Sequence, residues 1–204
     1  MVSALSSMNL PVQIVKSQAP DRATYLRRPD LGRRLSNEMQ LNKTPRQIAL
    51  AIVDGLSALA VQRHAAPLVQ ALIALAPQRW AGAPAAIALQ GRVALGDAIG
   101  ERFGAQLVVV LIGERPGLSS PDSLGAYLTF APRVGRTDAE RNCVSNIRPA
   151  GLGYEAAARR IDWLAAAALA RGLTGIGLKD ESAGTIPGEI PQSVKSASGF
   201  PLPS

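Results

Sequence analysis

Few side chains in this sequence could make or break a bond by ordinary acid–base or nucleophilic chemistry. The chain has one cysteine, Cys143, and one histidine, His64. A thiolate nucleophile needs a base within hydrogen-bond reach, and here the two residues fall on different predicted elements. The GxSxG elbow of serine hydrolases is absent. Gly91, Gly96, Gly100 and Gly104 do not have the GxGxxG spacing of a dinucleotide fingerprint. The polar residues that do cluster lie just past apolar runs: Asp54–Ser57, Gly91–Val93 and Glu114–Leu118. A glycine in each lets the backbone come close to a ligand. The free N–H and C=O groups of such turns suit a ligand rich in amides. These groups point to binding rather than to acid–base catalysis.

The elements that must position these groups read as alternating strand and helix. Gln106 to Ile112 is an unbroken apolar run, as expected for a strand buried on both faces. Gln47 to Val53 and Ala85 to Leu89 are further strands, and Val12 to Val15 is a short strand-like piece in a segment that otherwise reads as a linker or sheet edge. Ser57 is a candidate N-cap for a helix from Ala58 to Ala76, in which Pro67 starts a second segment or introduces a kink. His64 on that helix reads as a packed or surface histidine rather than a ligand. A loop is expected around Trp80–Pro84, then a helix that stops at Gly104. Ala126 to Phe130 reads as a strand and Thr137 to Asn142 as a turn or one helical coil. Tyr154 to Arg171 is an Ala/Leu-rich helix ended by Gly172, and Thr174 to Leu178 reads as a last strand.

Pro29 is placed to open a helix running to about Leu41, with Arg27, Arg28, Arg33 and Arg34 around it. That basic cluster is either a solvated helix start or a clamp for an anion or a partner subunit. The fold class is α/β, a parallel-rich sheet flanked by helices in one domain. Residues 1–20 form an N-terminal extension or edge segment, 21–179 the domain, and 180–204 a Gly/Pro/Ser-rich tail expected to be disordered.

Apolar residues make up 47% of the chain and aromatics only 4%, so the core must be built from Ala, Leu, Val and Ile. The net charge of +7 is carried by scattered arginines without an aromatic platform or a nucleic-acid-binding motif. It fits a basic face for an acidic partner or a phosphate-bearing ligand better than nucleic acid. No run approaches the ~20 apolar residues of a membrane span, and no secretory signal is legible. A single cysteine excludes an internal disulfide and suits a reducing cytoplasm.

One family matches these segments. GERPGLSSPDSLGAYLTFAPR followed by RTDAERNCVSNIRP resembles the signature region of the small (light) subunit of ethanolamine ammonia-lyase. YLRRPDLGRRL, IVDGLSALAV and QGRVALGDAIGERFGAQLVVVLIGERPGL resemble the same family in the same order, from about Asp21 to about Leu178. The resemblance implies a Rossmann-like domain that helps bind adenosylcobalamin at the interface with a large (β/α)8-barrel subunit. The hetero-oligomer converts ethanolamine to acetaldehyde and ammonia by a radical route. The resemblance also implies a cytoplasmic location, with a bacterial microcompartment as a further setting. The family's cobalamin contacts fall in the GRV, GERPG and NCxSN segments, here Val93, Glu114 and Cys143.

The corrin periphery is rich in neutral amides. Glu114 would accept from an amide NH2, while main-chain groups at Val93 and Cys143 would pair with others and the thiol stays uncharged. The alternative for Glu114 is an ion pair with Arg115. The sequence departs from the family in two places: it starts almost at the DRxxYLRRPDLGRRL region, and it is one residue shorter between GERPG and the cysteine. A stand-alone cobalamin- or nucleotide-binding module and a non-functional remnant of the family are the competing readings.

Overall fold

The computed structural model describes residues 1–114 and 122–182. The site residues expected at Arg115–Leu118, the Glu114–Arg115 ion pair, and the tail from residue 183 onward lie outside the described residues. Within them, six strands form one mixed sheet: β1 (Val12–Lys16), β2 (Ile48–Val53), β3 (Ala85–Leu89), β4 (Leu107–Gly113), β5 (Leu124–Phe130) and β6 (Asn142–Ile147), in the order β1-β3-β2-β4-β5-β6. The first four strands pair in parallel, whereas β5 and β6 add antiparallel.

Period-2 alternation decides which face each side chain covers. Ile48, Leu50, Ile52, Leu107, Val109 and Leu111 enter one core layer, and Ala49, Ala51, Val53, Val108, Val110 and Ile112 the opposite one. The central strands are therefore buried on both faces, as their continuous apolar runs require. The first layer is covered by α3 (Ala58–Leu75) and α6 (Tyr154–Arg171), together with α1 (Val2–Ser6) and α4 (Pro77–Trp80). The second is covered by α5 (Leu95–Phe103) and by Leu35, Met39 and Leu41 of the segment before β2.

β2 leads through α3 on one face to β3 on its left in the strand order. β3 then leads through α5 on the other face to β4 on the opposite side of β2. The strand order reverses between β2 and β4, and open α/β sheets bind ligands at the carboxyl ends of strands flanking such a reversal. Asp54 follows β2 there, and Glu114 follows β4.

Several elements differ from expectation. The helix predicted from Pro29 to Leu41 does not form. Asp21 instead caps α2 (Arg22–Arg27) by accepting the Thr24 N–H at 2.7 Å. Pro29 drives Arg28 out of the helical region (φ −122°, ψ 75°). Only a 3₁₀ turn, Leu31–Arg33, follows, and the chain then lies beside β1 through the Ser36 N–H to Lys16 carbonyl bond and a Ser17–Leu35 bridge. Pro67 neither starts nor divides a helix, since α3 runs through it as one element. Trp80 ends α4 rather than lying in a loop, and its indole N–H and Arg79 both bind Asp162 of α6.

Thr174–Leu178 is not a strand but a 3₁₀ turn, Gly175–Gly177, with Gly175 at φ +84°. Asn142 holds this turn by accepting the Gly175 N–H (2.8 Å) and donating to the Leu178 carbonyl (2.7 Å). β6 itself was not legible, because NCVSNI buries only Val144 and Ile147. Residues 1–20 supply β1 at one sheet edge and bury Leu5 and Leu10.

The second layer is thin because α5 lies almost on the sheet. A Cβ at Gly96 would overlap Val110, and one at Gly100 would come within 2.8 Å of Val108. The glycine series in this helix therefore serves packing. Next to it, Asp97 and Arg141 form a buried two-pronged ion pair (2.6 and 2.8 Å), and Arg141 also donates to Thr129 and to the Arg136 carbonyl. Burial pushes the Asp97 carboxyl up, against these hydrogen bonds. The pair ties α5 to the start of β6.

Gly96→Ala sets two effects against each other. Helix propensity favours Ala by about 1 kcal/mol, but overpacking a full core costs about 1–3 kcal/mol. With Val110 in direct overlap, denaturant unfolding should show a net loss of stability, and adding Val110→Ala should recover part of it.

Candidate functional site

The turns at the strand reversal are held at backbone distance. Gly55 takes φ +58° and packs directly on Gly113, and a Cβ on Gly113 would overlap the Ser57 carbonyl. The Leu56 N–H donates to the Gly113 carbonyl at 2.9 Å. Asp54 is used by the fold: its two carboxylate oxygens accept the Gln90 and Gly91 N–H groups at 2.8 and 3.0 Å. Ser57 caps α3 by accepting the Ala60 N–H. Of the three strand-end groups singled out in the sequence, the Asp54–Ser57 turn therefore serves the scaffold through Asp54 and Ser57, while its Leu56 lines the cavity formed by the other two.

The other two groups meet. Val93, on the β3–α5 turn, and Glu114, at the end of β4, line one cavity of about 280 Å³ together with Tyr25, Arg92 and Tyr127. Cys143 on β6 is exposed and is the cross-strand partner of Tyr127 on β5. Tyr127 thus links all three residues, and it and Tyr25 are cavity residues that the sequence reading missed. The signal for Tyr127 was modest: a lone phenol in the run LGAYLTF, whose alternate positions Leu124, Ala126 and Leu128 are buried on the opposite face.

Glu114 is fixed by its surroundings. Its Oε2 accepts the Ser123 hydroxyl (2.8 Å) and the Asn146 N–H (3.3 Å), which joins β4, β5 and β6 at one carboxylate. Gly125 leaves room for it, since a Cβ there would lie 2.7 Å from Oε1. Although Cys143 is exposed as a residue, loss of water around its sulfur at the sheet pushes the thiol up, a hydrogen bond from Tyr127 draws it down, and the charge of Glu114 adds to the rise. Burial likewise raises Tyr127. The thiol and the phenol are both neutral near pH 7.

The opposite wall is built by the segment after β1. The Tyr25 ring lies between two guanidinium groups, Arg22 at 4.6 Å and Arg92 at 4.7 Å from its centroid. Arg22 also donates to the Gly55 and Leu56 carbonyls. The Arg92 N–H donates to the Gly32 carbonyl, and its Nη2 reaches the Tyr25 carbonyl at 3.3 Å. The Arg92 Nε is buried without a hydrogen-bond partner among the described residues. A second, larger groove of about 580 Å³ continues from Arg92, Val93 and Tyr127 along α5 to the β5–β6 loop.

On this side β6 is exposed at Cys143 and Ser145, and β5 is half-buried at Tyr127 between the buried Gly125 and Thr129. The opposite faces of both strands are buried under α3 and α6, but no described helix lies over Tyr127, Cys143 or Ser145. His64 is far from this chemistry in role, buried with its Nδ1 2.8 Å from the Tyr154 hydroxyl and its Nε2 3.4 Å from Asp122. It is the packed histidine anticipated from its helix.

Comparison with known proteins gives one consistent family. The model of the family described as "Ethanolamine ammonia-lyase light chain (EutC)" matches residues 1–179, so the first twenty residues fall inside the family pattern rather than before it. The chain is 54% identical over 178 residues to the ethanolamine ammonia-lyase small subunit of Azotobacter vinelandii, which covers 83% of this chain and 66% of that protein. It is 51% identical over 199 residues to the corresponding protein of Xanthomonas campestris pv. campestris (93% of this chain, 73% of that one). It is 52% identical over 201 residues to that of Bradyrhizobium diazoefficiens (95% and 77%). The chain therefore spans about two thirds to three quarters of the length of these relatives.

The coupling of Cys143, Tyr127 and Glu114 is measurable without any ligand. Iodoacetamide alkylation of Cys143 at pH 8 should be slower than that of a free thiol, because only the thiolate reacts. Glu114→Gln removes the charge that raises the thiol and should speed the reaction. Tyr127→Phe removes the hydrogen bond that lowers it and should slow the reaction. Equal rates in all three proteins would show that the groups are not coupled.

Proposed function

The chain belongs to the ethanolamine ammonia-lyase light-chain family, and on that premise we propose that it binds adenosylcobalamin at the carboxyl end of β4 and beside Tyr127 and Cys143 of β5 and β6, where a large subunit closes over it. The observation that carries this reading is the convergence of Val93, Glu114 and Cys143 around Tyr127, beside the part of β5 and β6 over which no described helix lies. These are the three positions that the family resemblance marks for cobalamin.

The donor and acceptor set fits a corrinoid. A ring edged with neutral amides needs acceptors for NH2 groups and donors for carbonyl oxygens. Glu114 offers carboxylate lone pairs beyond the two hydrogen bonds it already accepts. The orphaned, buried Arg92 Nε offers a donor. Val93 and the Tyr127 ring give apolar surface between them. The βαβαβ core, with its strand reversal at Asp54 and Glu114, supports the Rossmann-like description of the family's small subunit.

Glu114, Val93 and Cys143 would hold adenosylcobalamin, which would supply the radical chemistry for converting ethanolamine to acetaldehyde and ammonia. This chain's own residues bind, orient and exclude water. Glu114 is held by Ser123 and Asn146, so it meets the ligand without first being ordered. Cys143 remains a thiol, neither a competing nucleophile nor a charge against the ring. Among the described residues no acid–base pair lines this cavity, and on the proposed reading the substrate and its proton transfers belong to the large subunit.

The full chain alone should therefore release no acetaldehyde from ethanolamine, whereas the mixture with its large subunit and adenosylcobalamin should. Glu114→Gln in that complex should weaken cobalamin binding about tenfold, ~1.4 kcal/mol, with circular dichroism unchanged. Turnover by the chain alone would refute the assignment of roles. An intact complex that binds cobalamin without turnover would favour a binding module that has lost catalysis.

A further inference from the structure

The larger groove beside the proposed cofactor site is lined by Arg33, Arg34, Arg92 and Arg136, with Asp97 and Asp138 as its acidic groups. These charges are not equally available. Asp97 is consumed by Arg141, and Arg136 is paired with Glu140. Asp138 is almost fully exposed and lies 3.4 Å from the Arg141 Nε. Arg33 and Arg34 differ from the rest. Both are exposed, and among the described residues neither guanidinium makes an ion pair or a hydrogen bond. Yet their backbone is fixed.

Gly32 sits directly beneath Arg92 and against Tyr25, where a Cβ would come to 3.0 and 3.1 Å. Its carbonyl accepts the Arg92 N–H at 2.8 Å, and the Arg34 carbonyl accepts the Gln18 N–H at 2.9 Å. Two unpaired guanidinium groups are thus presented from a rigid strap at the rim of a groove. The groove shares Arg92, Val93 and Tyr127 with the proposed cofactor cavity. Both arginines line one groove, and a tetrahedral phosphate offers oxygens to more than one guanidinium group.

Resting on the proposed function, we infer that Arg33 and Arg34, with Arg92 behind them, form an anion subsite for the phosphodiester of the cofactor's nucleotide loop. The amide-edged ring takes the neutral contacts at Glu114, Val93 and Cys143, and the single phosphate charge takes the arginines. This subsite gives the chain a means of telling a complete cobalamin from a corrinoid without its loop.

The experiment compares two probes on the full chain assembled with its large subunit. Cyanocobalamin carries the phosphodiester, and dicyanocobinamide lacks it. Wild-type protein should bind the first more tightly. In the double variant Arg33→Gln/Arg34→Gln, cyanocobalamin affinity should fall about tenfold while dicyanocobinamide stays within about twofold. The pair Arg33→Lys/Arg34→Lys should recover most of the loss, which also shows that the strap still folds. Wild-type protein that binds neither probe removes the proposed function itself, and this inference with it.

Equal losses for both probes, or no loss for either, would overturn the inference while leaving the proposed function standing. So would loss of large-subunit association with the ratio of the two affinities unchanged, because the arginines would then meet carboxylates of the partner. A third result would also overturn it: thermal protection by inorganic phosphate that the glutamine pair abolishes while leaving that ratio intact. The arginines would in that case take a free phosphate.

Discussion

The carboxylate of Asp54 sets the geometry on which the rest of the site depends. By accepting two N–H groups of the β3–α5 turn, it ties the end of β2 to the end of β3. Gly55 and Gly113 let the ends of β2 and β4 close to backbone contact. Three neighbouring strand ends are thus locked by main-chain contacts, which tolerate little displacement. A ligand met by Val93 and Glu114 meets positions fixed by the sheet itself. The Arg22–Tyr25–Arg92 stack extends the same rigidity to the wall opposite, because both arginines bind main-chain carbonyls as well as the ring.

The two faces of the sheet are treated unequally. On one, α3 and α6 cover β2, β4, β5 and β6. On the other, α5 is pulled down onto β4 by its glycines, and the chain provides nothing described over β5 and β6. That face is not apolar: Tyr127, Cys143 and Ser145 alternate with buried neighbours, and the carboxylate of Glu114 stands beside them. An uncovered face of this composition is stable in water yet rich in groups able to pair with a polar ligand. The buried Arg141–Asp97 pair reinforces the division. It anchors α5 to the start of β6 without extending helical cover across the strand.

Much of this was legible in the sequence, for physical reasons that also mark where legibility ended. Strands buried on both faces announce themselves as apolar runs, so β2, β3 and β4 were placed within a residue or so. α6 was bounded by its alanines and by Gly172, and Ser57 was recognisable as a cap. β6 was invisible because it buries one face only and its other positions are Asn, Cys and Ser. The false helix after Pro29 shows a local signal losing to tertiary bonds. Asp21 captured the helix start earlier, and pairing with β1 drew the following residues into an extended path. The role of Asp54 was misread for a related reason. A carboxylate at a strand end looks the same in sequence whether it faces a ligand or caps a neighbouring turn, and only the partner's position decides. Tyr127 was overlooked because its importance comes from what lies beside it on β4 and β6, none of which is close in sequence.

On the proposed reading, the make-up of the site also bears on how such a surface could stand beside a corrinoid used for radical chemistry. Cys143 is the group most able to interfere with one-electron chemistry, as a thiolate nucleophile or as a hydrogen donor. Its environment works against the first role through burial and through the negative charge of Glu114. The Tyr127 hydroxyl occupies the thiol as well, although that contact alone favours the thiolate. Burial is the larger influence, so the net effect is a neutral sulfur that serves as a packing surface. On the proposed reading, a corrinoid is thus met by a carboxylate held by neighbouring strands, a neutral thiol and a phenol, and charge is left for the arginine strap at the groove's far rim. On this reading the exposed arginines Arg33 and Arg34 line the neighbouring groove, while Arg92 and Glu114 are the charged groups in the cavity itself. The requirement falls on the backbone more than on any one side chain: the Asp54 clamp and the Gly55–Gly113 contact must keep β4 and β5 from shifting, because a small slip would bring the Glu114 charge to a different part of the ring.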